Sequence, residues 1–399
     1  MSSETNSPLA DLALDRYTVK HWTASDGLPA GRIQALCQTR DGYLWVGMRN
    51  GLARFNGSEF KVLPYLNCSS LAEDDDGVLW AGTSHGLYQG SAGKFERIDT
   101  HPAPTRTEPE AIFGMCPAKG GGAWVYDSES LVFVRGTSVH RHTKGKLGNQ
   151  HPRAMCTDGE GRVWVAGLIP PHRWDPAKDL MMFCPELPAW FSTNAIWSLY
   201  RDGAGAIWFG TWFTSAYRLW DGNTQEYPRV NHPAVVGINS LAEDETGTMW
   251  VSCSGGISLI KDRKIHFSDL NTNNFGGHPV LIPNQGGGIW VGTQEKGLYL
   301  VQRKKVAVLG KAEGLNHDSV WSIAEGHDQS MWIGTFDGLD RMKRGKLTHY
   351  GVAEGLTTPL VRAVAVDKEG RAWVGTGGEK FGESGGLHVI ETNELAKIV

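Results

Sequence analysis

A phrase built around one tryptophan returns along this chain. It reads DGYLWVGMRNGLARF at Asp41–Phe55, DGVLWAGTSHGLYQG at Asp76–Gly90, GGIWVGTQEKGLYLV at Gly287–Val301 and QSMWIGTFDGLDRM at Gln329–Met342. The recurring residues are Trp45, Trp80, Trp124, Trp164, Trp208, Trp250, Trp290, Trp332 and Trp373, at spacings of 35, 44, 40, 44, 42, 40, 42 and 41. A catalytic motif is normally present once, whereas a phrase with a period of about 40–44 residues is the size of one four-stranded propeller blade. The chain therefore reads as nine structural units.

Each unit parses into four strands by period-two patterning. An inner strand such as IQALCQ at Ile33–Gln38 precedes the tryptophan and carries small residues, including Ala35, Ser70, Gly114, Ala154, Ser198, Ser240 and Ala363. That choice suits crowding where blades converge. An Asp-x-x-Gly turn follows in five units, with Asp able to bond turn amides and Gly to take dihedrals that other residues resist. The second strand holds the tryptophan, and segments such as LARF and KLTHY supply the third and fourth. TVKHWTASDGL, Thr18–Leu28, aligns with KLTHYGVAEGL, Lys346–Leu356, so the N-terminal segment reads as a fourth strand lacking its own blade. The last unit stops after its third strand, GLHVIE. The expected fold is all-β, a single propeller of nine four-stranded blades over residues 17–399. The N-terminal strand completes the last blade and closes the ring, and residues 1–16 form a disordered tail. Eight blades plus one irregular unit is the alternative.

Composition agrees: 51 glycines and 16 tryptophans in 399 residues fit many short strands joined by tight turns. A net charge of −4 gives no electrostatic case for nucleic acid or an anionic membrane surface. No apolar run is long enough to span a bilayer, and the N-terminus lacks the pattern of a signal peptide. The six cysteines show no metal spacing; Cys37, Cys116 and Cys156 share one small-residue slot and read as buried, reduced thiols rather than a disulfide framework. A monomer is expected.

Asp-x-x-Gly-x-hydrophobic-Trp-hydrophobic-Gly-Thr-x-x-Gly-Leu, preceded by Glu-Gly-Leu or Asp-Gly-Leu, resembles the two-component regulator propeller repeat. The best matches are Glu313–Arg341 and Ser25–Gly57. The resemblance implies a sensory propeller of periplasmic type that binds carbohydrate or a similar ligand, ahead of signalling segments that this sequence does not contain.

Function is sought where units depart from their consensus. The position eleven residues before each tryptophan lies near the opening onto the innermost strand. It reads Gln34, Ser69, Phe113, Arg153, Trp197, Asn239, Pro279, Trp321 and Arg362. Arg153, Trp197, Asn239, Trp321 and Arg362 around one mouth would stack on and hydrogen-bond a sugar or planar acid. The competing reading is that they fill the channel. His172, Trp212 and Phe213, on distinctive second-to-third-strand loops, would wall the same site, and the imidazoles of His151 and His278 open inner strands towards it. No phosphate loop, Gly-x-Ser-x-Gly, assembled metal set or cofactor motif occurs, so no cofactor is expected. The leading function is a non-enzymatic module binding an oligosaccharide, small molecule or partner. The alternatives are a lyase or hydrolase with Arg153, His172 and Arg362 as first suspects, and a purely structural scaffold.

Overall fold

The Asp-x-x-Gly phrase folds into a turn whose aspartate serves two sets of donors. Asp74 Oδ1 accepts the amides of Asp76 and Val78 at 2.9 Å each, and its Oδ2 accepts the Trp80 indole N–H at 2.8 Å. The same bond joins Asp158 to Trp164 at 3.0 Å, Asp202 to Trp208 at 2.9 Å, Asp244 to Trp250 at 2.8 Å and Asp367 to Trp373 at 2.7 Å. Asn284 substitutes in the seventh unit, accepting from Trp290 at 3.0 Å. Turn and core are thus tied through one side chain, and most of these tryptophans are buried between sheets.

The computed structural model describes residues 17–391 except 65, 92, 102–110, 128–129, 143–151, 168–169, 176–177, 185–186, 193, 213–214, 229–236, 268–274, 276, 305–307 and 379–383. The expected N-terminal tail and Phe213 lie outside the described residues. The described residues form nine antiparallel sheets, one per repeat, all four-stranded except the three-stranded ninth. In eight of them consecutive strands pair in chain order, and in the seventh three consecutive strands do, as in the blades of a β-propeller. The chain divides into two compact units, residues 1–304 with seven sheets and residues 305–399 with two.

In the first unit each innermost strand packs beside the next, and the seventh, Val280–Pro283, packs beside the first, Ile33–Gln38. Ile33, Leu36, Val46, Trp290, Leu298 and Leu300 share one core cluster across that junction. At the turn end, hydrogen bonds run from sheet to sheet around the same circuit. Arg40 N donates to Glu73, Gly120 N to Asp75, Lys119 Nζ to the Gly159 carbonyl and Arg201 to the Asp158 carbonyl. Gly203 N donates to Glu243, Gly288 N to Glu245, and Gln285 N to Gln38 of the first sheet. The acidic turn at Glu73–Gly77 belongs to this circuit; Asp76 pairs with Arg135 at 3.0 Å.

The N-terminal strand corrects the sequence reading. Tyr17–Trp22 pairs with Leu298–Arg303 and completes the seventh sheet, not the ninth, whose Gly386–Ile390 has no described fourth strand. The nine expected sheets are present, seven in the first unit and two in the second, but the N-terminal strand does not join the last of them. Repeat alignment shows that a segment is a fourth strand but not which sheet it joins. Aromatic packing decides: Tyr17 meets Trp250 edge-on at 5.4 Å, His21 stacks on Tyr299 at 3.9 Å, and Trp22 lies 5.0 Å from Phe55 and 5.5 Å from Trp290. Val308, beyond Arg303, is 79% exposed.

Other consensus positions find their reasons in packing. A Cβ on Gly210, in the Trp-x-Gly-Thr phrase, would lie 2.1 Å from Ser198 Oγ and 2.5 Å from Ile238 of the next sheet, so that position demands glycine. Thr211 Oγ1 donates to the Ser215 carbonyl at 2.8 Å and closes the second hairpin. Leu28, Leu315 and Leu356 of the Gly-Leu phrases are buried. Burial pushes the Cys37 and Cys68 thiols up to about 12 and raises Cys116 and Cys156 as well, so the cysteine slot is chemically quiet. The second unit packs Trp332, Leu339, Leu356, Val361 and Val374 between its two sheets.

Deleting residues 1–22 exposes the Leu298–Arg303 edge; hydrogen exchange should accelerate there and leave Gly386–Ile390 unchanged. Equal protection of Leu298–Arg303 in both proteins contradicts the pairing. Asp244→Ala should cost about 1.5–3 kcal/mol in urea unfolding, as loss of a charged hydrogen-bond acceptor does, and Trp250→Ala about 3–5 kcal/mol. The carboxylates also set an acid response. Burial raises the Asp158 and Asp202 pKa values, but bonds from Trp164 and Arg162, and from Arg218 and Trp208, outweigh it and hold both below 3.8. Their contribution is complete above the unfolded value and is lost as pH falls through the folded ones. Asp158→Asn should therefore be less stable than the parent at pH about 6, the gap narrowing below pH about 3.

Candidate functional site

The position eleven before each tryptophan has a structural identity: in six sheets it is the extra residue of a β-bulge. Register shifts fall between Ile33 and Ala35, Cys68 and Ser70, Pro152 and Ala154, Ile196 and Ser198, Val320 and Ser322, and Val361 and Ala363. Gln34, Ser69, Arg153, Trp197, Trp321 and Arg362 are the residues so left out of the ladder. A bulge frees its extra residue from a cross-strand partner and re-aims its side chain. That explains why the position varies while its neighbours do not.

In the first unit, five consecutive sheets contribute to one cluster at this end. Trp197 of the fifth sheet stacks on Trp212 with ring centroids 3.9 Å apart and planes 28° apart. Arg153, from the fourth, sets its guanidinium 4.2 Å from the Trp197 ring centroid. The His278 imidazole, at the start of the seventh sheet, lies 5.9 Å from Trp197 and runs nearly parallel to Trp212 at 6.3 Å. Asn239 of the sixth sheet donates to the carbonyls of His278 and Pro279 at 3.3 and 3.4 Å, fixing the backbone under that ring. Burial, then the charge of Arg32 from the first sheet, lowers the His278 pKa below 6.5, so the imidazole is neutral at pH 7.

Two polar atoms in this cluster, Trp197 Nε1 and His278 Nδ1, are buried without a hydrogen-bond partner among the described residues, and so is Gln34 Oε1 on the first sheet. Such groups normally find one, because each costs about 1–3 kcal/mol when left unpaired. Gly237 holds the stack in place. Its φ is +67°, and a Cβ there would come within 2.8 Å of Trp212 Cε3.

Of the residues expected at one mouth, Arg153, Trp197, Trp212 and Asn239 come together, with His278. His172 does not join them through any described contact. Its Nδ1 bonds the Pro170 carbonyl at 2.6 Å and its ring faces Phe183 at 6.4 Å. Trp321 and Arg362 belong to the second unit, where the Arg362 guanidinium sits 5.5 Å from the Trp321 ring and bonds the Gly378 carbonyl at 2.8 Å. Arg32 and Gly237 escaped sequence reading; the available signal for Arg32 was its place just ahead of the first inner strand. Among the described residues no three His, Cys, Asp or Glu side chains converge as a metal ion would need.

Known proteins resemble the chain in repeat and fold. The family described as two component regulator propeller matches residues 27–50, 63–85, 191–213 and 314–337. No curated protein sequence matches. Among solved structures, the chain is similar to the extracellular domain of the putative one component system BT4673 from B. thetaiotaomicron, at 18% identity and TM-score 0.57, covering 94% of this chain and 52% of that one. The extracellular domain of the putative hybrid two component system BT3049 from the same organism gives 16% identity and TM-score 0.59, with coverages of 95% and 54%. Virginiamycin B lyase from Staphylococcus aureus gives 13% and 0.57, covering 72% of this chain and 99% of that one. The chain thus spans about half the length of these extracellular domains.

Gly237→Ala should displace the Trp212 ring at a cost of about 1–3 kcal/mol and weaken the far-ultraviolet exciton couplet of the stacked indoles. Trp212→Ala supplies the reference spectrum for complete loss. An unchanged couplet in Gly237→Ala contradicts the packing described.

Proposed function

Taking the chain as a member of the two-component regulator propeller family, whose repeats it carries, we propose that it is a non-catalytic sensory module. It holds a flat ligand with polar edges, an oligosaccharide or a planar acid, against Trp197 and Trp212. The observation that carries this reading is the pair of buried polar atoms, Trp197 Nε1 and His278 Nδ1, left without a hydrogen-bond partner among the described residues beside a stacked aromatic pair. A ligand ring would gain stacking area on the indoles and satisfy these atoms together. Arg153 and Arg32 add cationic donors for hydroxyl or carboxylate groups. The neutral His278 has no carboxylate beside it in the described cluster, which favours binding over acid–base turnover.

The extracellular sensor domains of similar fold support the sensory part of the reading, with ligand capture at the bulged end as the input. Saturation-transfer NMR tests it with two probes, a mixture of plant and algal oligosaccharides and 4-hydroxybenzoate. Transfer to at least one probe is expected in the parent, with at least a tenfold loss of affinity in Trp197→Ala. No transfer to either probe, or equal transfer in the variant, moves the weight to a scaffold role.

A further inference from the structure

A second departure from the repeat lies at the opposite end of the first unit. Counting two residues beyond the third-strand partner of each core tryptophan gives the end of that strand. This position is polar or charged in eight sheets: Asn56, Ser91, Arg135, Asp175, Lys261, Gln302, Lys343 and Glu391. In the fifth sheet it is Trp220, which is 48% exposed. A hairpin tip has no packing need for an indole, and this repeat otherwise keeps a polar residue there.

The indole is held rather than loose. Its Cζ3 would lie 3.6 Å from a Cβ on Gly205, so the ring rests over that turn, and the Arg218 guanidinium sits 5.6 Å from its centroid. Arg218 is itself anchored to Asp202 at 2.7 Å. The ring forms one side of a cleft of about 610 Å³ between the fourth and fifth sheets. Asp158, Glu160 and Arg162 stand on the other side, and Asp221 lies at the hairpin tip.

Charge pairing across that far wall selects the kind of ligand. Arg162 donates from Nε to Asp158 at 2.7 Å and lies 2.7 Å through Nη1 from Glu160. Asp158 is further occupied by the amides of Glu160 and Arg162 and by the Trp164 indole. An ion of either sign would have to compete with these pairs. A neutral polyol would not, because its hydroxyls both donate and accept and can bridge the Glu160 carboxylate and the remaining Arg162 donors. A platform of exposed indole beside such an edge suits a ring with one C–H face and hydroxyls around its rim. The cleft volume falls within the range of small-molecule sites. We infer that the cleft between the fourth and fifth sheets is a separate binding site for a neutral pyranose sugar, with Trp220 as its stacking platform and Glu160, Arg162 and Asp221 as its polar rim.

The test uses the full chain carrying Trp197→Ala, so that the site at the bulged end contributes no aromatic stack. Saturation-transfer NMR is run with the methyl pyranosides of glucose, galactose, mannose and xylose at tens of millimolar. Transfer to at least one glycoside is expected. Adding Trp220→Ala should weaken it at least tenfold, Trp220→Tyr should retain it, and Glu160→Gln should reduce it several-fold. Trp220 lies on the surface, and matched melting temperatures confirm that its variants fold. The inference is overturned by no transfer to any of the four, by equal transfer in Trp220→Ala, or by self-association in light scattering that depends on Trp220 and that sugars do not reverse.

Discussion

The carboxylate that follows the inner strand in five of the nine sheets is the interaction on which their turns and cores depend together. One Asp shapes the turn through backbone amides and fixes the large core side chain through its indole N–H. The turn cannot form without placing the tryptophan, and the tryptophan cannot be buried without a partner for its N–H. The departures are instructive. Gly326 stands six residues before Trp332, where five sheets have Asp and the seventh has Asn, and Trp332 Nε1 is buried with no hydrogen-bond partner among the described residues. Asp328, two residues on, takes Arg341 and Lys343, each at 2.6 Å, and the Arg341 guanidinium lies 4.8 Å from the Trp332 ring. The sheet keeps its tryptophan by covering it with a cation rather than by hydrogen-bonding its edge.

Strand order within sheets was readable because pairing between neighbours in sequence follows from turn chemistry and period-two patterning. Closure was not. TVKHW and KLTHY have the same local grammar, and the choice of sheet rests on Tyr17, His21 and Trp22 meeting Trp250, Tyr299, Phe55 and Trp290 across a long stretch of sequence. A one-dimensional repeat carries information about each unit and very little about which units meet.

The candidate site was half legible. Variation at one repeat position marked Arg153, Trp197 and Asn239, because six of those nine residues sit in bulges that no ladder partner constrains. Trp212 and His278 were visible as oddities in loops. Arg32 and Gly237 were not, since one acts through charge at a distance and the other by lacking a side chain. Trp220 was missed for a different reason. The repeat phrase is anchored on the buried tryptophan, and a departure at an exposed hairpin tip shows only when the third strand is placed in register.

The pairing of Tyr17–Trp22 with Leu298–Arg303 has a consequence for how the chain is made. Thr18 bonds Gln302 across 284 positions of sequence, so this strand can find its neighbour only after the six intervening sheets have been synthesised. Six sheets can zip up by local hairpins while that strand waits with its aromatic residues unburied, and the long loop makes its return the slow step. The unit gains cooperativity when this late contact forms, because only then does every sheet have neighbours on both sides. Until then the nascent chain carries an adhesive edge, which is the interval in which a chaperone or a wrong partner would meet it.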